Sequence, residues 1–286
     1  MKISGILENG RVNLSLEVFP PKKWENIEAT EQAVTEMAKL SPSFISVTYG
    51  AGGGTSAYTT RIANHIRNAC GVTALSHMTC VGTDREKAAA LMRELKADGV
   101  ENILALRGDI PESGEYKKDF KYASDLVSFI KQNGDFCVGG ACYPEGHPDA
   151  PSIARDIDAL KIKEESGADF FTTQMFFDNN IFYCFLNKLY QRGIKTPVIT
   201  GIMPITNASQ LKRIISLSGS VIPTRFLAIV EKFGEDPASM RQAGILYACE
   251  QIVDLIANGV RNVHIYTMNK PEVASAIVNN LSEIVK

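Results

Sequence analysis

A carboxylate stands inside the apolar run Leu14-Ser15-Leu16-Glu17-Val18-Phe19, which Pro20-Pro21 stops at once. A buried acid is costly unless it is paired or kept protonated, so Glu17 at the end of such a run points to proton chemistry. Apolar stretches carrying one polar side chain near the downstream end recur at Thr48, His77, Arg107, Tyr143 and Gln174. Polar groups that converge at strand ends are the arrangement expected of an active site.

The elements that must position them are legible as periodicities. Runs rich in Val, Ile, Phe and Thr at 13–19, 43–49, 73–80, 102–107, 136–142, 169–175, 197–202 and 262–267 predict eight strands. Apolar residues at three- and four-residue spacing predict helices between them, for example over 27–40, 56–69, 85–96, 123–132, 152–165 and 240–257. Strict alternation of this kind implies parallel strands with helical crossovers, and eight units favour an α/β fold closed into a single (β/α)8 TIM barrel spanning 1–286. An open dinucleotide-binding sheet would carry a Gly-x-Gly-x-x-Gly after the first strand, where this chain has Phe19-Pro20-Pro21-Lys22.

Parity within the strands gives a sharper expectation. Leu14, Leu16 and Val18 oppose Ser15 and Glu17; Ile45 and Val47 oppose Ser46 and Thr48; Leu104 and Leu106 oppose Ala105 and Arg107. The apolar parity is expected to meet the helices. The other is expected to face into the barrel, where Ser46, Ala105, Gly139 and Ala141 leave room near the top. The Gly-rich loop 50–54 is a candidate for ligand contact, and the loop 109–118, with Pro111 and Gly114, reads by default as a solvated connector, with a lid as the alternative.

Composition excludes several classes. With 286 residues, 45% apolar and 22% charged, the chain can bury a large core. A net charge of −2 gives no electrostatic case for nucleic acid or an anionic membrane. No apolar run approaches the roughly 20 residues that span a bilayer, and the start lacks a signal-peptide core, which predicts a cytoplasmic protein. The six cysteines include no Cys-x-x-Cys pair, so reduced, mostly buried thiols are expected and no metal site.

From Leu16-Glu17-Val18-Phe19-Pro20-Pro21-Lys22 onward the chain resembles the methylenetetrahydrofolate reductase family. The resemblance runs through Ser46-Val47-Thr48-Tyr49-Gly50-Ala51, His77-Met78-Thr79-Cys80, Leu104-Ala105-Leu106-Arg107-Gly108-Asp109, Tyr143-Pro144-Glu145-Gly146-His147-Pro148, Thr173-Gln174-Met175-Phe176-Phe177-Asp178 and Tyr266-Thr267-Met268-Asn269. It implies a flavin-bearing barrel of one-carbon metabolism that reduces 5,10-methylenetetrahydrofolate to 5-methyltetrahydrofolate. The implied cofactor is FAD rather than FMN, with NADH, NADPH or an electron-donor protein as the source of electrons; the sequence leaves the oligomeric state open, a homo-oligomer included.

The same resemblance assigns roles. Glu17 is implied as the general acid that protonates the departing folate nitrogen, and Asp109 as a carboxylate near flavin and pterin that stabilises the cation. Thr48, Tyr49, Ala51, His77, Arg107, Gly108, Asp109, Ala123, Tyr143, His147, Ala150, Asp156 and Lys163 are implied in flavin binding. Arg107 and Lys163 suit a pyrophosphate, Tyr143 a ring face, and Gly108 a close backbone approach. Gln174 and Lys270 are implied in substrate binding, Gln174 toward folate and nicotinamide in turn, Lys270 toward the folate tail, where the family has arginine. The chain also departs from the family at Ala159, Ile162 and Ala208. Two alternatives remain on the residues: a flavin-holding electron-transfer subunit, and a non-flavin pterin-dependent methyltransferase barrel.

Overall fold

The computed structural model describes residues 1–49, 56–110, 119–218 and 220–285. The Gly-rich loop, with Ala51, and most of the 109–118 segment lie outside these residues. Eight parallel strands, β1 (Asn13–Val18), β2 (Ile45–Val47), β3 (Ala74–Thr79), β4 (Asn102–Leu106), β5 (Cys137–Cys142), β6 (Phe170–Thr173), β7 (Val198–Ile202) and β8 (Asn262–Tyr266), pair in sequence order and close on themselves. The closing pair is β1 with β8, in the register Ser15 to His264 and Glu17 to Tyr266. This is the predicted (β/α)8 barrel.

Outside the strands run α2 (Ile27–Ala38), α3 (Ser56–Asn64), α4 (Arg85–Ala97), α5 (Ala123–Asn133), α6 (Ile153–Glu165), α7 (Asn179–Gln191), α8 (Ala208–Ser218), α9 (Thr224–Phe233), α10 (Pro237–Ala257) and α11 (Pro271–Asn280). Several begin where a short polar side chain satisfies an otherwise orphaned N–H: Asp84 accepts from Lys87, Ser152 from Arg155, Asp178 from Asn180 and Asp236 from Ser239. Caps at the strand-to-helix loops fix where each crossover starts, and so how far each loop overhangs the barrel mouth.

Parity behaves as expected in β1 and β2. Leu16, Val18, Ile45 and Val47 pack outward in the core shared with the helices, while Ser15, Glu17 and Ser46 meet inside. In β4 the expectation is inverted. Ala105 lies in the outer core, and Leu104 joins an inner cluster with Ile3, Ile6, Phe44, Leu75, Cys137, Phe170 and Ile199. The reason is that the lower barrel interior is itself an apolar core, so an apolar side chain does not by itself mark the helix-facing side. Gly139 leaves no room either, because the Phe170 ring fills the space a Cβ would take.

The base is closed by α1 (Ile3–Leu7), which contributes Ile3 and Ile6 to the inner cluster. Asn102 accepts from the Ile3 N–H at 2.8 Å, and Asn13 donates to the Ile6 carbonyl at 3.2 Å and to Asn262 at 2.9 Å. Buried amides thus knit the floor while apolar rings fill it. Among the described residues no helix is long and apolar enough to cross a membrane. Cys80, Cys137, Cys142 and Cys249 are buried and, like Cys70 and Cys184, unbridged.

Candidate active site

At the C-terminal ends of the strands opens a cleft of about 1620 Å³. Glu17, Thr48, Tyr49, His77, Arg107, Gly108, Asp109, Ala123, Tyr143, His147, Ala150, Asp156, Lys163 and Gln174 all line it. Every described residue given a catalytic, cofactor or substrate role from the sequence therefore lines one cleft, except Lys270.

Glu17 is 7% exposed and sits at the end of a hydrogen-bonded chain. The Ser15 hydroxyl donates to the Val263 carbonyl at 3.1 Å, so it receives the Nδ1–H of His264 at 2.8 Å. That leaves His264 Nε2 as an acceptor, 3.1 Å from the Ser46 hydroxyl, which also lies 3.3 Å from Glu17 Oε2. One hydroxyl proton faces two acceptors. A neutral imidazole approaches from the other side: His77 Nε2 is 3.5 Å from Glu17 Oε2. Burial pulls His77 down to about 4, against the opposing pull of the Glu17 charge and with the help of His264. Among the described residues no lysine or arginine pairs with Glu17, whose basic neighbours are His77 and His264.

On the neighbouring strand β8, in register with Glu17, Tyr266 reaches over Gly201 of β7 to donate to the Thr173 carbonyl at 2.5 Å. A Cβ at residue 201 would collide with the Tyr266 hydroxyl and the Thr173 carbonyl, so glycine is what lets the ring cross. Burial, reinforced by the Glu17 charge, holds the Tyr266 phenol well above its ordinary range. It stays a neutral donor. Gln174, two residues past Thr172 on the same face, lines the cleft beside it, and its amide oxygen accepts from the Met175 N–H at 2.9 Å.

The far half of the cleft is built by the ends of β4 and β5 and by α6. Arg107 donates to Asp149 at 2.7 Å, and that guanidinium holds the Asp149 carboxyl below its usual range. Lys163 is tied to the Ala141 carbonyl at 2.8 Å, and burial lowers its ammonium pKa. Asp156 accepts from the His147 N–H at 3.1 Å, and burial raises its carboxyl. Tyr143 and His147 meet edge to face at 4.5 Å, with the Tyr143 phenol pushed up by burial to about 12. Gly108, at φ +82, turns left-handed where a Cβ would come within 2.9 Å of Thr79. Arg155, Ala159 and Ile162, on one face of α6, extend the wall.

Lys270 does not reach the cleft lining. Met268 and Asn269 take left-handed backbone angles of 54° and 55°, and Asn269 clamps Phe19 by accepting from its N–H at 2.7 Å and donating to its carbonyl at 2.9 Å. This turn sends Lys270 to the β7–α8 loop, where it donates to Thr206 at 3.1 Å.

The sequence reading missed His264, Tyr266 and Asp149. The first two share the inward parity of β8, the signal that found Glu17 on β1. Asp149 had no such signal, because a loop carries no period.

A family model described as methylenetetrahydrofolate reductase matches residues 2–282. The 5,10-methylenetetrahydrofolate reductase of Pectobacterium carotovorum subsp. carotovorum is 34% identical over 272 residues, 95% of this chain and 91% of that one. The protein of that name from Escherichia coli K12 shows the same identity and coverage. Methylenetetrahydrofolate reductase (NADH) 1 of Zea mays is 36% identical over 99% of this chain but 51% of its own, so this chain spans about half the plant relative. An uncharacterized Clostridium thermocellum protein, described as binding two copies of 5-methyl-5,6,7,8-tetrahydrofolic acid, superposes with a TM-score of 0.69 over 99% of this chain and 100% of its own. At 15% identity that likeness is one of fold.

Proposed function

Because the chain belongs to the methylenetetrahydrofolate reductase family, a family of oxidoreductases, we propose that it reduces 5,10-methylenetetrahydrofolate to 5-methyltetrahydrofolate with Glu17 as general acid and FAD as cofactor. The observation that carries this reading is the meeting, in one cleft, of the Glu17 carboxylate with the described residues the family resemblance nominates for the flavin.

The residues present fit a flavin. Tyr49 Oη, His77 Nε2 and Thr172 Oγ1 are buried without a hydrogen-bond partner in the cleft wall, an unfavourable state that a polar heterocycle can relieve. Arg107 and Lys163 supply cations for phosphate, and Tyr143 a ring face. The α6 face at Arg155, Ala159 and Ile162 gives the adenosine half a wall, which favours FAD over FMN. When bound, the reduced flavin supplies the hydride.

The chain's own residues supply the rest. Protonation of the departing folate nitrogen opens the bridging methylene to an iminium cation, and Glu17, paired with no lysine or arginine among the described residues, gives that proton. A protonated Glu17 also completes the chain beneath it: its O–H goes to Ser46, the Ser46 hydroxyl to His264, and the His264 Nδ1–H to Ser15. Once the proton leaves, the Ser46 hydroxyl turns to the carboxylate. The cation then lies in the field of Glu17 and Asp109. Gln174, able to donate and accept, holds the pterin and later the nicotinamide. Tyr266 walls the site against water and stays protonated through the cycle.

The test is the variant Glu17→Gln, read by absorbance. Flavin occupancy and anaerobic bleaching by the donor are expected to persist while reoxidation by methylenetetrahydrofolate falls at least about a hundredfold, the usual weight of a general acid. Normal reoxidation would remove Glu17 from the role. Bleaching of the wild-type flavin by NADH or NADPH identifies a nicotinamide donor, and its failure points to a donor protein.

A further inference from the structure

We infer that Thr172 is a further binding residue of the cleft: its hydroxyl meets the lactam edge, a C=O beside an N–H, of a bound heterocycle. Thr172 lies on the inward face of β6, in register with Ala141 on β5 and Ile199 on β7, between Phe170 in the floor and Gln174 at the rim. It is 6% exposed and lines the cleft, yet its Oγ1 is buried without a hydrogen-bond partner. Its strand neighbours explain this. Ala141 and Ile199 present no polar side chain, the neighbouring Thr173 hydroxyl accepts from the Gly201 N–H, and the Thr173 carbonyl accepts from Tyr266.

A threonine in this position is not a packing choice, since valine fills the same volume without burying an unpaired hydroxyl. Hydroxyl and methyl spring from one Cβ, and a turn about χ1 exchanges them, so an acceptor arriving at the wall can be met without backbone movement. A hydroxyl donates and accepts at once, which matches the adjacent C=O and N–H of a pyrimidine-type lactam. The inference rests on the reading of the cleft as a flavin and folate site, and both ligands carry such an edge.

Thr172→Val and Thr172→Ser separate the possibilities. Flavin affinity is measured on the flavin-stripped protein by fluorescence quenching with FAD, and folate affinity on the FAD-loaded protein by difference spectroscopy with 5-methyltetrahydrofolate. Thr172→Val is expected to weaken one of the two roughly three- to tenfold while Thr172→Ser stays near wild type. A loss in the first titration assigns the hydroxyl to the flavin, a loss in the second to the pterin. The melting temperature of the stripped Val protein is expected to rise by about 2 °C, as an unpaired buried hydroxyl has been removed. Val affinities within twofold of wild type for both ligands, or a Ser variant as impaired as Val, would overturn the inference. Wild-type protein that binds no FAD would instead overturn the reading on which it rests.

Discussion

His77 faces the cleft floor as a buried neutral base, and that has a cost in acid that can be worked through. In the unfolded chain its imidazole titrates near 6.5, whereas burial holds it at about 4 in the fold. The sign follows from proton counts: between those values the unfolded state binds a proton that the folded state refuses, so stability is full above about pH 6.5 and declines as pH falls toward 4. At about pH 4.5 the unfolded imidazole is nearly all protonated and the folded one about a quarter. At about 1.36 kcal/mol per unit this amounts to roughly 2–3 kcal/mol lost relative to pH 7.5. That is a large share of a total of roughly 5–15 kcal/mol. Urea denaturation of the flavin-stripped protein, followed by circular dichroism, reads it as a midpoint shift of about 1 M at a slope near 3 kcal/mol/M. Carboxylates elsewhere add their own acid sensitivity, so the measured quantity is the difference from His77→Gln, which has no proton to refuse. Parallel pH profiles for wild type and variant would refute the argument and mean that water or a rearranged Glu17 admits the charge.

Three further outcomes are expected. Tyr143→Ala should weaken FAD retention about tenfold by ultrafiltration, since it removes a ring worth about 1 kcal/mol together with its edge contact to His147; unchanged occupancy would end its stacking role. Gly201→Ala should cost about 1–3 kcal/mol in a urea titration, because the new methyl meets the Tyr266 hydroxyl and the Thr173 carbonyl, and a neutral result would mean the ring moves freely. Glu164→Ala strips the acceptor shared by the Lys195 N–H, the Thr196 N–H and the Thr196 hydroxyl, so a loss of about 1–3 kcal/mol is expected, with wild-type stability as the refuting result.

The barrel was legible because eight apolar runs alternate with helical periods, and the site because polar residues end those runs. Legibility stopped where physics ceased to depend on period. Leu104 reads as helix-facing by hydropathy alone, but the lower interior is as apolar as the outer shell. Lys270 sits in sequence beside the mouth, and two left-handed residues turn it away. No signal in the sequence marks the hydrogen bond that ties the Lys163 ammonium to the Ala141 carbonyl within the wall. The His264 chain and the Tyr266 crossing depend on which strands become neighbours at closure, and the β1–β8 pairing joins residues about 250 positions apart.

The plug formed by the short first helix and the phenylalanine-rich floor has a kinetic consequence. Among the described residues the cleft opens at the C-terminal ends of the strands. Under the proposed function a nicotinamide donor and the folate are expected to enter there in turn, so an excess of either is expected to slow reaction with the other.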